Sequence, residues 1–225
     1  MSSGPGHDKM LSEALRFYRS KFSQHGPTAL GVGWPGEDRQ PIMFDQILKI
    51  CVSSRSGIRD TGFSLLDYGS GYGALLKHML QNSWSFDRYV GFDLLPEMVS
   101  AGKELSRNCE DVAEFTDNSM ALAAADYVVC AGMLNVKQGA EPQQWQTYVL
   151  QMLDHMWSLA NKGLAFNSLT SYSEPDKMRD DLFYADPCFL FDYCKRNFSR
   201  QVALLHDYGL WEFTILVRRD NITQR

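Results

Sequence analysis

The sequence predicts an α/β fold: a doubly wound, mostly parallel seven-stranded sheet ending in a C-terminal antiparallel hairpin, preceded by an N-terminal helical cap. Three observations predict it. An apolar run, Phe63-Ser-Leu-Leu-Asp67-Tyr68, ends in an acid and passes straight into glycines at 69, 71 and 73. A second run, Arg88-Tyr-Val-Gly-Phe-Asp93, also ends in an acid, and Pro96 follows. Strand-like and helix-like segments then alternate until two β-rich runs, 200–206 and 211–218, close the chain around the turn Asp207-Tyr-Gly-Leu210.

Taken in order, Met1 to Gly6 are small residues expected to be disordered. From Lys9 to Phe22, the residues Met10, Leu11, Leu15, Tyr18 and Phe22 stand at helical spacing, and a Gly/Pro-rich loop from Gly26 to Gly36 follows. Ile42, Phe44, Ile47, Leu48 and Val52 mark a second helix. Residues 1–60 are therefore expected to form a tail and helical cap or lid, and residues 61–225 the sheet domain. Strands are expected near 63–67, 88–93, 111–116, 126–131 and 162–168, and helices near 73–82, 96–107, 142–161 and 186–198. Pro96 suits the first turn of its helix, and Asp186 is a good N-cap. Right-handed crossovers would place a ligand over the carboxyl ends of the strands.

The glycine turn concentrates the chemistry. Without Cβ atoms the backbone turns sharply and approaches a ligand closely. The helix behind it offers unpaired N–H groups. Read as Gly69-x-Gly71-x-x-Ala74, it fits the dinucleotide fingerprint and points to NAD or FAD. Read as Asp67-x-Gly69-x-Gly71-x-Gly73, it resembles the first motif of class I S-adenosylmethionine-dependent methyltransferases. Asp93 falls about twenty residues beyond, where a carboxylate accepts hydrogen bonds from ribose hydroxyls. Gly91, Asp93, Leu94 and Met98 match the next motif of that family. A dehydrogenase usually opens on its glycine loop and adds a separate substrate domain; here the loop follows a cap, and little chain remains. The terminal hairpin also favours the methyltransferase resemblance, which covers residues 63–218. A finer pattern runs from His25, Trp34 and Gln40 through Gly132, Asn135 and Lys137 to Tyr184 and Thr214. It resembles a group of bacterial, generically named methyltransferases with no assigned acceptor.

The resemblance implies a Rossmann-like sheet, S-adenosyl-L-methionine as cofactor with S-adenosyl-L-homocysteine as product, and no obligatory metal. It implies cofactor contacts from Asp67, Gly69, Ser70, Gly71, Gly73, Asp93, Leu94 and Met98. Phe115, Thr116 and Asp117 would meet the adenine, and Ala131 and Gly132 the methionine portion. Acceptor candidates are Tyr18, His25 and Trp34 in the cap, Asn135 after the fourth strand, Asn167 and Tyr172 after the fifth, and Tyr184. Methyl transfer from a sulfonium is an in-line displacement with a good leaving group. It demands alignment and exclusion of water rather than a fixed catalytic residue. Asn135 is not followed by the Pro-Pro-aromatic triplet of many enzymes that methylate amino groups on nucleic acid or protein. His78 and His155 are expected in mid-helix away from the crevice, and Cys130 as a buried strand residue.

The bulk properties fit this picture. A net charge of −5 argues against a broad nucleic-acid footprint. The five cysteines are scattered, without metal-ligand spacing, and point to reduced thiols in the cytoplasm. No apolar run is long enough for a membrane span. The expected protein is a cytoplasmic monomer or homodimer that methylates O, N or C of a small-molecule acceptor, with neither nucleic acid nor membrane as partner. A methyltransferase acting on RNA or protein and an NAD-dependent oxidoreductase are the alternatives.

Overall fold

Strands buried on both faces must be apolar on both faces. The two strands at the centre of the sheet, 63–68 and 125–130, are buried at all but one residue each and order the molecule. The computed structural model describes residues 5–220. Helices α1 (Pro5–His25) and α2 (Arg39–Ile47) precede β1 (Phe63–Tyr68), α3 (Ala74–Gln81), β2 (Phe86–Phe92), α4 (Pro96–Leu105), β3 (Ala113–Thr116) and β4 (Ala125–Cys130). Then come α5 (Pro142–Leu159), β5 (Ala160–Thr170), β6 (Tyr184–Ala185), α6 (Pro187–Asn197), β7 (Gln201–Leu205) and β8 (Glu212–Arg218). The sheet order is β3-β2-β1-β4-β5-β8-β7, with β6 paired to β5 off this path. The first five strands are parallel, and β8 runs antiparallel between β5 and β7. The order reverses between β1 and β4, which opens a crevice over their carboxyl ends.

Successive side chains on a strand face opposite ways, and two cores result. On one face Leu65, Tyr89, Phe115 and Val129 pack against α2, α3 and α4. On the other, Leu66, Tyr68, Phe92, Val128 and Phe166 pack against α5, α6 and the N-terminal half of α1. Helix α2 is thus part of a helical layer, whereas α1 reaches the opposite core through Met10 and Ala14. Asp186 caps α6 as expected, its carboxylate accepting from the Cys188 and Phe189 amides at 2.8 and 3.2 Å.

The structure corrects the sequence reading at β6 and at the start of α1. The sheet has eight strands rather than seven, because the short β6 adds to β5 through Leu169↔Tyr184 and Thr170↔Ala185. Two residues carry no periodicity by which to read a strand. The link between β3 and β4, residues 117–124, holds only a 3₁₀ turn, Ser119–Ala121. No helix therefore covers the β2–β3 surface there, and the Arg88–Glu114 ion pair stands exposed. Pro5 and Gly6, expected in a disordered tail, begin α1, while residues 1–4 lie outside the described residues.

One ring locks the glycine-bearing elements together. A Cβ at Gly91 on β2 or at Gly102 on α4 would meet the Phe115 ring at 2.4 Å, and one at Gly73 before α3 would meet it at 2.8 Å. Gly102→Ala should therefore lower stability by about 1–3 kcal/mol through overpacking. Adding Phe115→Leu should recover part of that loss, as measured by urea denaturation.

Candidate active site

The turn between β1 and α3 brings two carboxylates to one place. Gly69, Gly71 and Gly73 have φ of 82°, 54° and 89°, values that L side chains resist. A Cβ at Gly69 would also meet the Met133 sulfur at 2.9 Å. The turn is held to β2, since the Gly69 and Ser70 amides donate to the Phe92 carbonyl. Asp93, just past β2, accepts from the Gly71 amide through Oδ2 and from the Leu95 amide through Oδ1, both at 2.9 Å. Burial raises its pKa, and these two amides pull it back. Asp67, at the end of β1, is buried, and its Oδ2 accepts from the Tyr89 hydroxyl at 2.5 Å. Its Oδ1 is buried without a hydrogen-bond partner among the described residues. Burial pushes this carboxyl up to about 7 against the Tyr89 hydrogen bond, with Asp93 adding to the rise.

These groups line a cavity of about 1010 Å³ that wraps over the carboxyl edge of the sheet. Of the residues expected there, Asp67, Gly69, Ser70, Gly71, Asp93, Leu94, Met98, Ala131, Gly132, Tyr18 and Trp34 line it. Gly73 sits behind the turn as the N-cap of α3. Phe115, Thr116 and Asp117 do not line it, and Ser119 does. Phe115 is committed to the core by strand alternation, and Asp117 is exposed. The acceptor candidates His25, Asn135, Asn167, Tyr172 and Tyr184 are also outside the lining. His25 is exposed at the end of α1. Tyr172 is 69% exposed, and the Tyr184 hydroxyl accepts from the Arg179 amide at 3.0 Å. The Asn135 side chain accepts from the Ser168 hydroxyl and the Leu169 amide at 3.2 and 3.0 Å, which ties the loop after β4 to β5.

Asn167 is 0% exposed and acts through the backbone. Its Oδ1 accepts from the Gly132 amide at 2.7 Å, and its amide group donates to Glu212 at the start of β8. Burial pushes the Glu212 carboxyl up to about 7, opposed by Asn167 and by Arg39. Gly132, at φ 80°, is gripped from above as well. The Tyr18 hydroxyl donates to its carbonyl at 3.4 Å, and a Cβ there would meet Trp34 Nε1 at 3.3 Å. Beside Tyr18, Arg19 pairs with Glu97 of α4 at 2.7 Å. Consecutive residues of α1 thus fasten it to both sides of the cavity.

Several lining residues carry signals that spacing alone did not single out. Tyr68 and Tyr72 lie within the glycine motif itself, and Gln40 opens α2. His155, expected away from the crevice, lines the cavity from α5, because no helix stands between α5 and β2 on that face. Gln40 and Tyr68 are each 7% exposed, and their side-chain polar atoms have no hydrogen-bond partner among the described residues.

No family model matches the chain. "Putative methyltransferase Rv1506c" of Mycobacterium tuberculosis (strain ATCC 25618 / H37Rv) is 47% identical over 157 residues, covering 70% of this chain and 93% of that one. The chain belongs to the class I methyltransferases. Two solved structures share the fold. Magnesium protoporphyrin IX methyltransferase (ChlM) from Synechocystis PCC 6803, with bound SAH, is 14% identical with a TM-score of 0.61 over 94% of this chain and 96% of that chain. The N-methyltransferase NodS from Bradyrhizobium japonicum WM9, in complex with S-adenosyl-l-homocysteine, is 12% identical with a TM-score of 0.63 over 92% and 98%. The dinucleotide reading of the glycines gives way to this kinship. Among the described residues, no helix is long and apolar enough to cross a membrane, and no cluster of His, Cys, Asp or Glu is arranged to hold a metal ion.

The raised Asp67 carboxyl makes the stability of this methyltransferase depend on pH. A folded-state pKa near 7, above the ordinary 3.8, favours the folded protein below pH 3.8; that stabilisation is lost progressively as pH rises from 3.8 through 7. Asp67→Asn, which is neutral throughout, should match the wild type best below about pH 4. It should become the more stable of the two by pH 8, as read by thermal unfolding without ligand.

Proposed function

We propose that this methyltransferase moves the methyl group of S-adenosylmethionine to a small-molecule acceptor held in the cavity beneath α1. The observation that carries this reading is the charge of the wall. Its lining includes three aspartates, Asp67, Asp93 and Asp154, and no lysine or arginine among the described residues. A phosphate-rich macromolecule would need cations there to replace its counterions. A cationic cofactor and an acceptor without negative charge suit it.

The cavity fits the cofactor. The unpartnered Asp67 Oδ1 supplies a buried acceptor for an ammonium group, which would lower the Asp67 pKa as it bound. Asp93 keeps lone pairs beyond the two amides it accepts, and these can take ribose hydroxyls. Gly69 and Gly71 let the turn lie close against the Met133 and Val32 side chains of the cavity wall. When bound, S-adenosylmethionine supplies a methyl carbon activated by a positively charged sulfur. The remaining work is positional: Tyr18 and Trp34 close over Gly132 and exclude water, and the walls align the acceptor. The Tyr18 hydroxyl, held protonated by burial and by Asp93, is a donor and no base.

Isothermal titration tests the cofactor assignment. S-adenosylhomocysteine should bind and NAD should not. Asp93→Ala should weaken S-adenosylhomocysteine by more than about tenfold while thermal unfolding stays cooperative. Unchanged affinity in the variant would remove Asp93 from the site, and preferential binding of NAD would end the methyl-transfer reading.

A further inference from the structure

The groups assigned to the cofactor occupy only part of the cavity. Strand alternation places Asp67 toward the α2–α4 core, while its neighbour Tyr68 faces the other way, with Phe92. The cavity continues down that second face, between β1 and β2 on one side and α5 on the other, under the N-terminal half of α1. It is open because the β3–β4 link has no helix to fill the space. Its wall is built of rings and aliphatic chains. Tyr68 packs on Phe92 at 4.8 Å and edge-on to His155 at 5.9 Å, and Leu15 of α1 and Met152 of α5 line the same limb. Within this wall the Tyr68 side chain is 7% exposed, and its hydroxyl, open to the cavity, has no hydrogen-bond partner among the described residues. A ligand that covers this wall takes the hydroxyl out of water, so it must offer a group that pairs with it or leave it unsatisfied. Burial raises its pKa to about 12, so it stays a neutral hydroxyl.

We propose that the acceptor is an uncharged molecule with an apolar ring body and a hydroxyl, and that it seats this body in the limb between β1, β2, α1 and α5 with its hydroxyl on Tyr68. The ring stacks against the aromatic wall, where offset and edge-on contacts are favourable. An anionic counterpart finds no cation there. The hydroxyl is a recognition group, and the atom that is methylated is a separate question. The inference rests on the methyl-transfer reading above.

The test uses the whole protein saturated with S-adenosylhomocysteine, titrated calorimetrically with 4-butylphenol and with 4-butylphenyl phosphate. The phenol should bind, and the phosphate should bind more than about tenfold more weakly, because its charge is desolvated without a partner. Tyr68→Phe should weaken the phenol roughly fivefold, the size of one hydrogen bond. Leu15→Glu, which puts a carboxylate into the limb, should abolish phenol binding. Both variants should still bind S-adenosylhomocysteine, which shows that they are folded. No binding of the phenol, equal binding of the two compounds, or phenol binding indifferent to both substitutions would overturn the proposal while leaving the cofactor reading intact. Failure of the wild type to bind S-adenosylhomocysteine would overturn the cofactor reading instead.

Discussion

The Phe115 ring is the constraint on which the site depends. Glycines from three elements, Gly73, Gly91 and Gly102, give up their side-chain volume to it. Because the ring fills that space, α3 and α4 approach β2 more closely than side chains would allow. The turn from β1 to α3 then lies against the end of β2, where the Gly71 amide reaches Asp93. Interiors packed to crystal density transmit such displacements rather than absorb them. A change at this ring, which does not line the cavity, therefore acts on the spacing of the carboxylates above it.

A second set of contacts brings the far end of the chain into the site. Glu212 opens the last strand, Asn167 lies on β5 and Gly132 follows β4, so one hydrogen-bonded line crosses three neighbouring strands. Its members are buried, and their value is orientation: the backbone of Gly132 is fixed from below by Asn167 and from above by Tyr18. Buried polar networks of this kind cost little only when each member is satisfied. Here Asn167 uses both its oxygen and its amide nitrogen.

Much of the fold was legible because it follows from local rules. The apolar runs ending in Asp67 and Asp93, the glycines between them, the Asp186 cap and the terminal hairpin each carry a pattern of their own. The lining residues nearest the turn were legible for the same reason. Phe115 and Asn167 were misplaced because each sits at the carboxyl end of a strand, where sequence does not show which face a side chain takes. Tyr172, just beyond β5, is likewise exposed. His155 belongs to the cavity only through something missing elsewhere, the helix between β3 and β4, and no pattern around His155 signals that. The unpartnered Asp67 oxygen and the Gln40 and Tyr68 side chains are three-dimensional facts: a polar residue in a sequence does not declare whether its partner is present.

The position of β8 has a consequence for how the protein is made. Among the described residues this strand follows all the others in sequence, yet it sits inside the sheet, between β5 and β7. While the N-terminal segments emerge from the ribosome, β5 has β4 on one edge but lacks its long antiparallel neighbour on the other. Asn167 likewise waits for Glu212. Pairings so distant in sequence form late, because the loop entropy must be spent before the contact rewards it. The growing chain can assemble its glycine turn early, but it cannot fix the backbone of Gly132 until Glu212 has been made. A shortened product would thus carry the turn and both aspartates and still lack a finished site.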